Sequence, residues 1–183
     1  MLETARSQDR GERVEYVEAD LRTIVDAVAG GFGGAICLGN TLPHILTDED
    51  LERSLAGVRQ LLEPGAPLLI QLLNYHRIFE RDERSLPLNI RQDGDEEIVF
   101  LRLMRPQADG EILFYPATLR LVPGADPPLE IKASKEVRLR GWRQRELTRA
   151  LSRSGFTDLQ YLGSYDRDPF DPEASRDLIV VAR

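Results

Sequence analysis

The chain has 183 residues, with 24 basic and 31 acidic side chains, a formal net charge of −7, 42% apolar and 30% charged residues. That is the length of one domain, with enough apolar content for a core and too much for a disordered polyelectrolyte. The acidic balance argues against a nucleic-acid binder held by phosphate neutralisation, and no stretch reads as a membrane span or secretory signal, so the expectation is a cytoplasmic protein without nucleic-acid or membrane partners.

Residues 14–19 alternate apolar and charged side chains and predict a short strand ending at Asp20. Residues 21–29 are weakly helical. Glycines 30, 31, 33 and 34 then lead into Ala35-Ile36-Cys37-Leu38-Gly39, a continuous apolar run that predicts a strand buried on both faces. Thr47-Asp48-Glu49-Asp50 has capping-box spacing. Leu51, Leu55, Val58, Leu61 and Leu62 follow at helical intervals until Pro64-Gly65 ends the pattern. The second apolar run, Pro67 to Leu73, completes a β-α-β unit, whose ligands belong at the carboxyl ends of its strands. Residues 80–95 read as a charged loop. Segments 98–104, 112–122 and 129–139 predict three antiparallel strands, residues 143–154 a helix ended by Gly155, and residues 158–162 and 178–182 two closing strands.

Three strand ends carry the candidate chemistry. Leu38-Gly39-Asn40, followed by Thr41-Leu42-Pro43-His44, offers a glycine for close backbone approach and an amide to fix a ligand. Its alternative is a loop whose Asn and His satisfy only backbone groups. Asn74-Tyr75-His76 would bring an amide, a phenol and an imidazole to the same rim. Asp20 could accept from an amino or hydroxyl group, or could cap the residues after it. The single cysteine, Cys37, excludes an internal disulfide, and its place in an apolar strand argues for an inert thiol. The histidines, His44 and His76, match no metal motif, so no metal is expected. Arg138, Arg140, Arg143, Arg145 and Arg149 form a local basic cluster, read either as a solvated face or as a seat for an anionic substrate or partner.

Residues Phe32 to His44, taken with Pro64 to Ile70 and Asn74-Tyr75, resemble the class I S-adenosylmethionine-dependent methyltransferases, most closely the glycine and sarcosine N-methyltransferase group. The resemblance implies an α/β fold: a truncated Rossmann-like methyltransferase sheet with an inserted three-stranded antiparallel lobe. The core would span residues 1–85 and 143–183 and the lobe residues 86–142. It implies S-adenosyl-L-methionine as cofactor and methyl transfer to a small-molecule nitrogen or oxygen. By the same resemblance Asp20 faces the adenine amino group, Leu21 and Met1 pack on the ring, and Leu38, Gly39 and Asn40 line the methionine part. His44 lies close to the cofactor, and Asn74 and Tyr75 form the substrate rim.

Two departures accompany the matches. Where relatives that bind glycine carry an arginine before the Asn-Tyr pair, this chain has Leu73, which makes no bidentate pair with a substrate carboxylate. The family's first strand, glycine-rich loop and ribose-binding acid have no counterpart, which implies open strand edges and an exposed apolar face. Three expectations follow: the two strands close up, another chain covers the gap in a homo-oligomer, or the natural start lies upstream. A non-catalytic binding or oligomerising module is the alternative to an enzyme.

Overall fold

The computed structural model describes residues 2–8, 14–94 and 96–183. Met1, assigned to the adenine ring by resemblance, lies outside the described residues. The chain starts with a helix, α1 (Leu2–Gln8), and enters the core through a 3-10 turn, Leu21–Thr23, and a one-turn helix, α2 (Ile24–Ala27).

The β-α-β unit forms as its sequence dictates. Strand β1 (Ala35–Cys37) lies parallel to β2 (Leu68–Leu73), with Ala35 opposite Leu68 and Cys37 opposite Ile70. Between them runs α3 (Asp48–Leu61), whose first turn is closed by the Thr47 hydroxyl accepting from the Asp50 N–H at 3.2 Å. Asp48, Glu49 and Asp50 place negative charge at the positive end of the helix dipole. Leu51 and Leu55 are buried against the sheet's alternate residues Leu68, Ile70 and Leu72, each leucine worth roughly 1.5–3 kcal/mol on leaving water. Two closing strands, β8 (Leu159–Leu162) and β9 (Asp177–Ala182), pair antiparallel, and β9 joins the free side of β2 to give the order β1-β2-β9-β8. Helix α5 (Gln144–Arg153) packs beside α3 and ends at Gly155, whose φ of 92° suits a residue without a Cβ.

Four expectations need correction. Residues 14–20 form no ladder, because no neighbouring strand among the described residues offers them hydrogen bonds. Strand β1 is not buried on both faces. It is an edge strand with β2 as its one partner in the described sheet, and Ile36 is 73% exposed. The two strand ends therefore have not closed up on each other.

Third, the lobe has five strands rather than three: β3 (Asn89–Asp93), β4 (Glu96–Pro106), β5 (Glu111–Leu121), β6 (Leu129–Ser134) and β7 (Val137–Arg140). The segment 129–139 splits because β5 is long enough to pair twice. Its residues 117–121 take β6 across a bulge at Thr118 and Leu119, and residues 111–114 take β7. Fourth, residues 80–95 are not a loop throughout, because Asn89–Asp93 form β3; a short helix that the sequence reading did not foresee, α4 (Tyr75–Glu80), precedes them.

The lobe and the sheet share one core. Met104, Ile112 and Leu139 of the lobe are buried with Leu72, Tyr75 and Leu147, and Trp142, fully buried, donates from Nε1 to the Ile45 carbonyl at 3.1 Å. Gly141 makes this junction: a Cβ there would fall 2.5 Å from the Phe79 ring.

Candidate active site at the strand carboxyl ends

Beyond β1 the backbone turns through two consecutive left-handed residues, Gly39 (φ 71°) and Asn40 (φ 61°). Glycine enters this region freely. Asparagine tolerates it better than most residues, at a cost that the surroundings must offset. Here the offset is visible. The Gly39 N–H donates to Gln71 Oε1 at 2.9 Å, and Gln71 Nε2 donates to Asp177 Oδ1 at 2.7 Å. Asn40 Oδ1 accepts from the Leu73 N–H at 3.1 Å, while its Nδ2 donates to the Tyr75 phenol oxygen at 2.7 Å. The Thr41 hydroxyl donates to the Leu38 carbonyl at 2.7 Å.

A strained turn is thus pinned from three elements, β2, α4 and β9, while its outer side stays open. Leu38 is 39% exposed, and no atom lies within 4 Å of where a Cβ on Gly39 would stand. A ligand can approach this backbone closely, which is what the sequence pattern asked for.

Tyr75 is buried, and desolvation pushes its phenol well above the usual tyrosine range, with the Asn40 amide opposing that shift. It stays neutral and serves as the acceptor that orients Asn40. Cys37, on β1, is half-buried and its thiol is likewise pushed up by burial, so it is protonated at neutral pH and a poor nucleophile.

Asp20 caps the 3-10 turn, accepting from the Arg22 N–H at 2.9 Å and from Arg22 Nε at 3.0 Å. The Arg22 side chain holds its carboxyl down at about 2, so it is anionic at physiological pH, with both oxygens accepting from Arg22. Leu21 packs at the edge of the core, and Arg22 also reaches Asp50 of α3 at 3.6 Å. Among the described residues, no hydrogen bond or ion pair ties Asp20 or Leu21 to the β1 turn. His44 ends the 3-10 turn Leu42–His44 with its ring exposed above buried Leu42 and Pro43.

Asn74 does not offer its amide to a rim. It is 1% exposed, caps α4 by accepting from the Arg77 N–H at 3.3 Å, and donates to the carbonyls of Pro172 and Ser175 at 2.8 and 2.9 Å. His76 faces outward, its Nε2 lying 2.9 Å from Glu173 Oε1. The structure therefore joins Asn40 to Tyr75, and leaves Asn74 and His76 in other roles. Gln71 and Asp177 are participants that sequence reasoning missed. The one signal for Gln71 was its polarity inside an otherwise apolar strand.

Open turn, braced parallel strands and the closing antiparallel hairpin together define a Rossmann-like methyltransferase sheet. A solved S-adenosylmethionine-dependent methyltransferase from Clostridium acetobutylicum ATCC 824 superposes with a TM-score of 0.74 at 13% identity, over 99% of this chain and 68% of that one. The CcbJ methyltransferase from Streptomyces caelestis gives 0.68 at 20% identity, over 99% and 72%. The fold is that of the class I S-adenosylmethionine-dependent methyltransferases. In sequence, the chain is similar to the glycine/sarcosine N-methyltransferase of Halorhodospira halochloris, 30% identical over 71 residues, which are 39% of this chain and 26% of that relative. The similarity thus spans about a quarter of the curated relative's length. No protein-family model matches the chain.

Proposed function

We propose that the chain contributes the carboxyl-end half of a methyltransferase site: it binds S-adenosyl-L-methionine at the β1 turn and presents a small-molecule nitrogen or oxygen to it. The observation that carries this reading is the pinned left-handed turn Leu38-Gly39-Asn40, open on its outer side. These residues fit the group. The exposed Leu38 and the open side of Gly39 suit an extended aminoacyl chain, and the anionic Asp20 suits an amino group on a ring once Arg22 releases one of its oxygens. When bound, the cofactor supplies an electrophilic methyl group. The protein's contribution is orientation and exclusion of water around an acceptor that attacks in its unprotonated form, its surplus proton passing to solvent. Asn40 holds the turn in place, Tyr75 and the Leu73 N–H hold Asn40, and Gln71 links the turn to Asp177. Leu73, half-buried beside this turn, gives an acceptor carboxylate no partner, so the acceptor is an amine or hydroxyl other than a free amino acid.

The test is methyl transfer from methyl-deuterated S-adenosylmethionine to a panel of amines and alcohols, read by mass spectrometry. Transfer that survives with neutral acceptors, fails with glycine and sarcosine, and disappears in Asn40→Ala supports the reading. Equal transfer by Asn40→Ala refutes it.

A second reading rests on a different observation. Beside the open edge of β1 lies an apolar hollow of about 310 Å³ lined by Ala35, Ile36, Pro67, Leu69 and Val181. An unpaired edge with exposed Ile36 suits a homo-oligomer or a non-catalytic binding module. Sedimentation velocity decides: a dimer converted to monomer by Ile36→Lys favours it, and a monomer at all concentrations removes it.

A further inference from the structure

Of the five clustered arginines, the structure separates two groups. Arg138 is spent on Glu111, at 3.0 Å, and Arg140 on Glu146 and the Asp109 carbonyl, at 2.6 and 2.8 Å. Arg143, Arg145 and Arg149 have no carboxylate partner among the described residues. All three line a cleft of about 980 Å³ between α4, the β4–β5 turn and the start of α5. Its apolar surface comes from Phe79, Phe170, Pro106 and Pro172, and the Arg143 guanidinium lies 4.9 Å above the Phe79 ring.

Charge makes this concentration meaningful. In a chain of net charge −7, three guanidinium groups left without counter-ions around one cleft form a local positive field against the global sign. The opposing carboxylates of the lining are mostly engaged. Glu146 binds Arg140 and the Arg143 N–H at 2.9 Å, Asp109 accepts from the Glu111 N–H at 3.0 Å, and Glu80 has no hydrogen-bond or ion-pair partner among the described residues. The amino end of α5, ten residues long, opens into the same cleft at Gln144 and adds its dipole. The volume is that of a small-molecule site, at the upper end of the usual ~300–1,000 Å³. Neither Asn40 nor Gly39 lines it, so it is separate from the β1 turn.

We infer that this cleft binds a small molecule that joins a flat apolar body to an oxyanion, phosphate or carboxylate. The body rests on Phe79 and Phe170, and the anion is held by Arg143 with Arg149 and Arg145. The inference stands independently of methyl transfer, because its readout is binding alone.

The experiment is titration calorimetry of the chain with 1-naphthyl phosphate, 1-naphthoate, neutral 1-naphthalenemethanol and inorganic phosphate, alongside amide chemical-shift mapping. A phosphate-selective or carboxylate-selective site shows as a preference between the first two. The inference predicts saturable binding of at least one of them, with the neutral alcohol about tenfold weaker or worse. It also predicts a loss of about tenfold in the double variant Arg143→Gln, Arg149→Gln, little change in Arg138→Gln, and tighter binding in Glu80→Gln. Shifts should cluster at Phe79, Gly110, Gly141 and Arg143. Equal affinity for the neutral alcohol, an unchanged double variant, or no binding of either anion at millimolar concentration overturns it. Should the double variant unfold, wild-type shifts confined to other regions overturn it equally.

Discussion

Two asparagines end the two parallel strands, and the chain uses them in opposite ways. Asn74, after β2, is sealed in the core with its amide divided among a helix cap and two carbonyls. Asn40, after β1, sits in a left-handed backbone on an open rim and holds that backbone through Leu73 and Tyr75. The same residue type thus closes one strand end and keeps the other accessible. What separates them is the neighbour. The loop at 172–175 covers β2, whereas β1 is the sheet edge.

The largest effect that tests this contrast is on stability at the closed end. Asn74→Ala removes a buried amide that partners two carbonyls and a cap N–H, and should cost roughly 1–3 kcal/mol in urea unfolding. A loss under about 1 kcal/mol would mean that Asn74 is not the seal described. At the open end, Asn40→Ala removes two hydrogen bonds and strains a left-handed site, while Asn40→Gly removes the bonds but relieves the strain. Ala should therefore be the less stable of the two by about 1 kcal/mol, and equal stabilities would show that the turn carries no strain. Both variants should lose the chain's affinity for S-adenosylmethionine.

Tyr75 provides a pH test. Its phenol titrates higher in the folded chain than unfolded, so the neutral form favours folding. Its contribution is complete below the ordinary tyrosine range near 10 and is lost as pH rises beyond it. Unfolding free energy should fall in that alkaline window for the wild type and fall less for Tyr75→Phe. The smallest effect belongs to Asp20. Its carboxyl should titrate near 2 by NMR, return towards 3.8 in Arg22→Ala, and barely change stability because the pair is solvent-exposed.

Sequence legibility followed the same division between closed and open regions. Helix α3 was readable because Thr47 and the leucine spacing act locally, and β2 because its apolar run is covered on both sides by β1 and β9. The run at Ala35 to Gly39 has the same composition, yet an apolar run records only the wish for cover, and β1 has cover on one side. Residues 14–19 alternate as a strand does, but a strand exists only through its partner. Strand β3 was missed because Asn89–Asp93 is exposed throughout and carries one apolar side chain, Ile90. At the site, Gly39 and Asn40 were legible as a turn, whereas the Asn40–Tyr75 bond, across 35 residues, and the Gln71–Asp177 bond, across 106, are products of tertiary packing. The arginine cluster was visible as composition. Only the fold separates the paired Arg138 and Arg140 from the three arginines around the cleft.

The most direct test of the central claim is a titration of the isotope-labelled chain with S-adenosylmethionine, followed at the amides of the β1 turn. Saturable shifts at Leu38, Gly39 and Asn40, absent in Asn40→Ala, are the expected result. Shifts confined to other parts of the chain, or none at millimolar cofactor, would contradict the account.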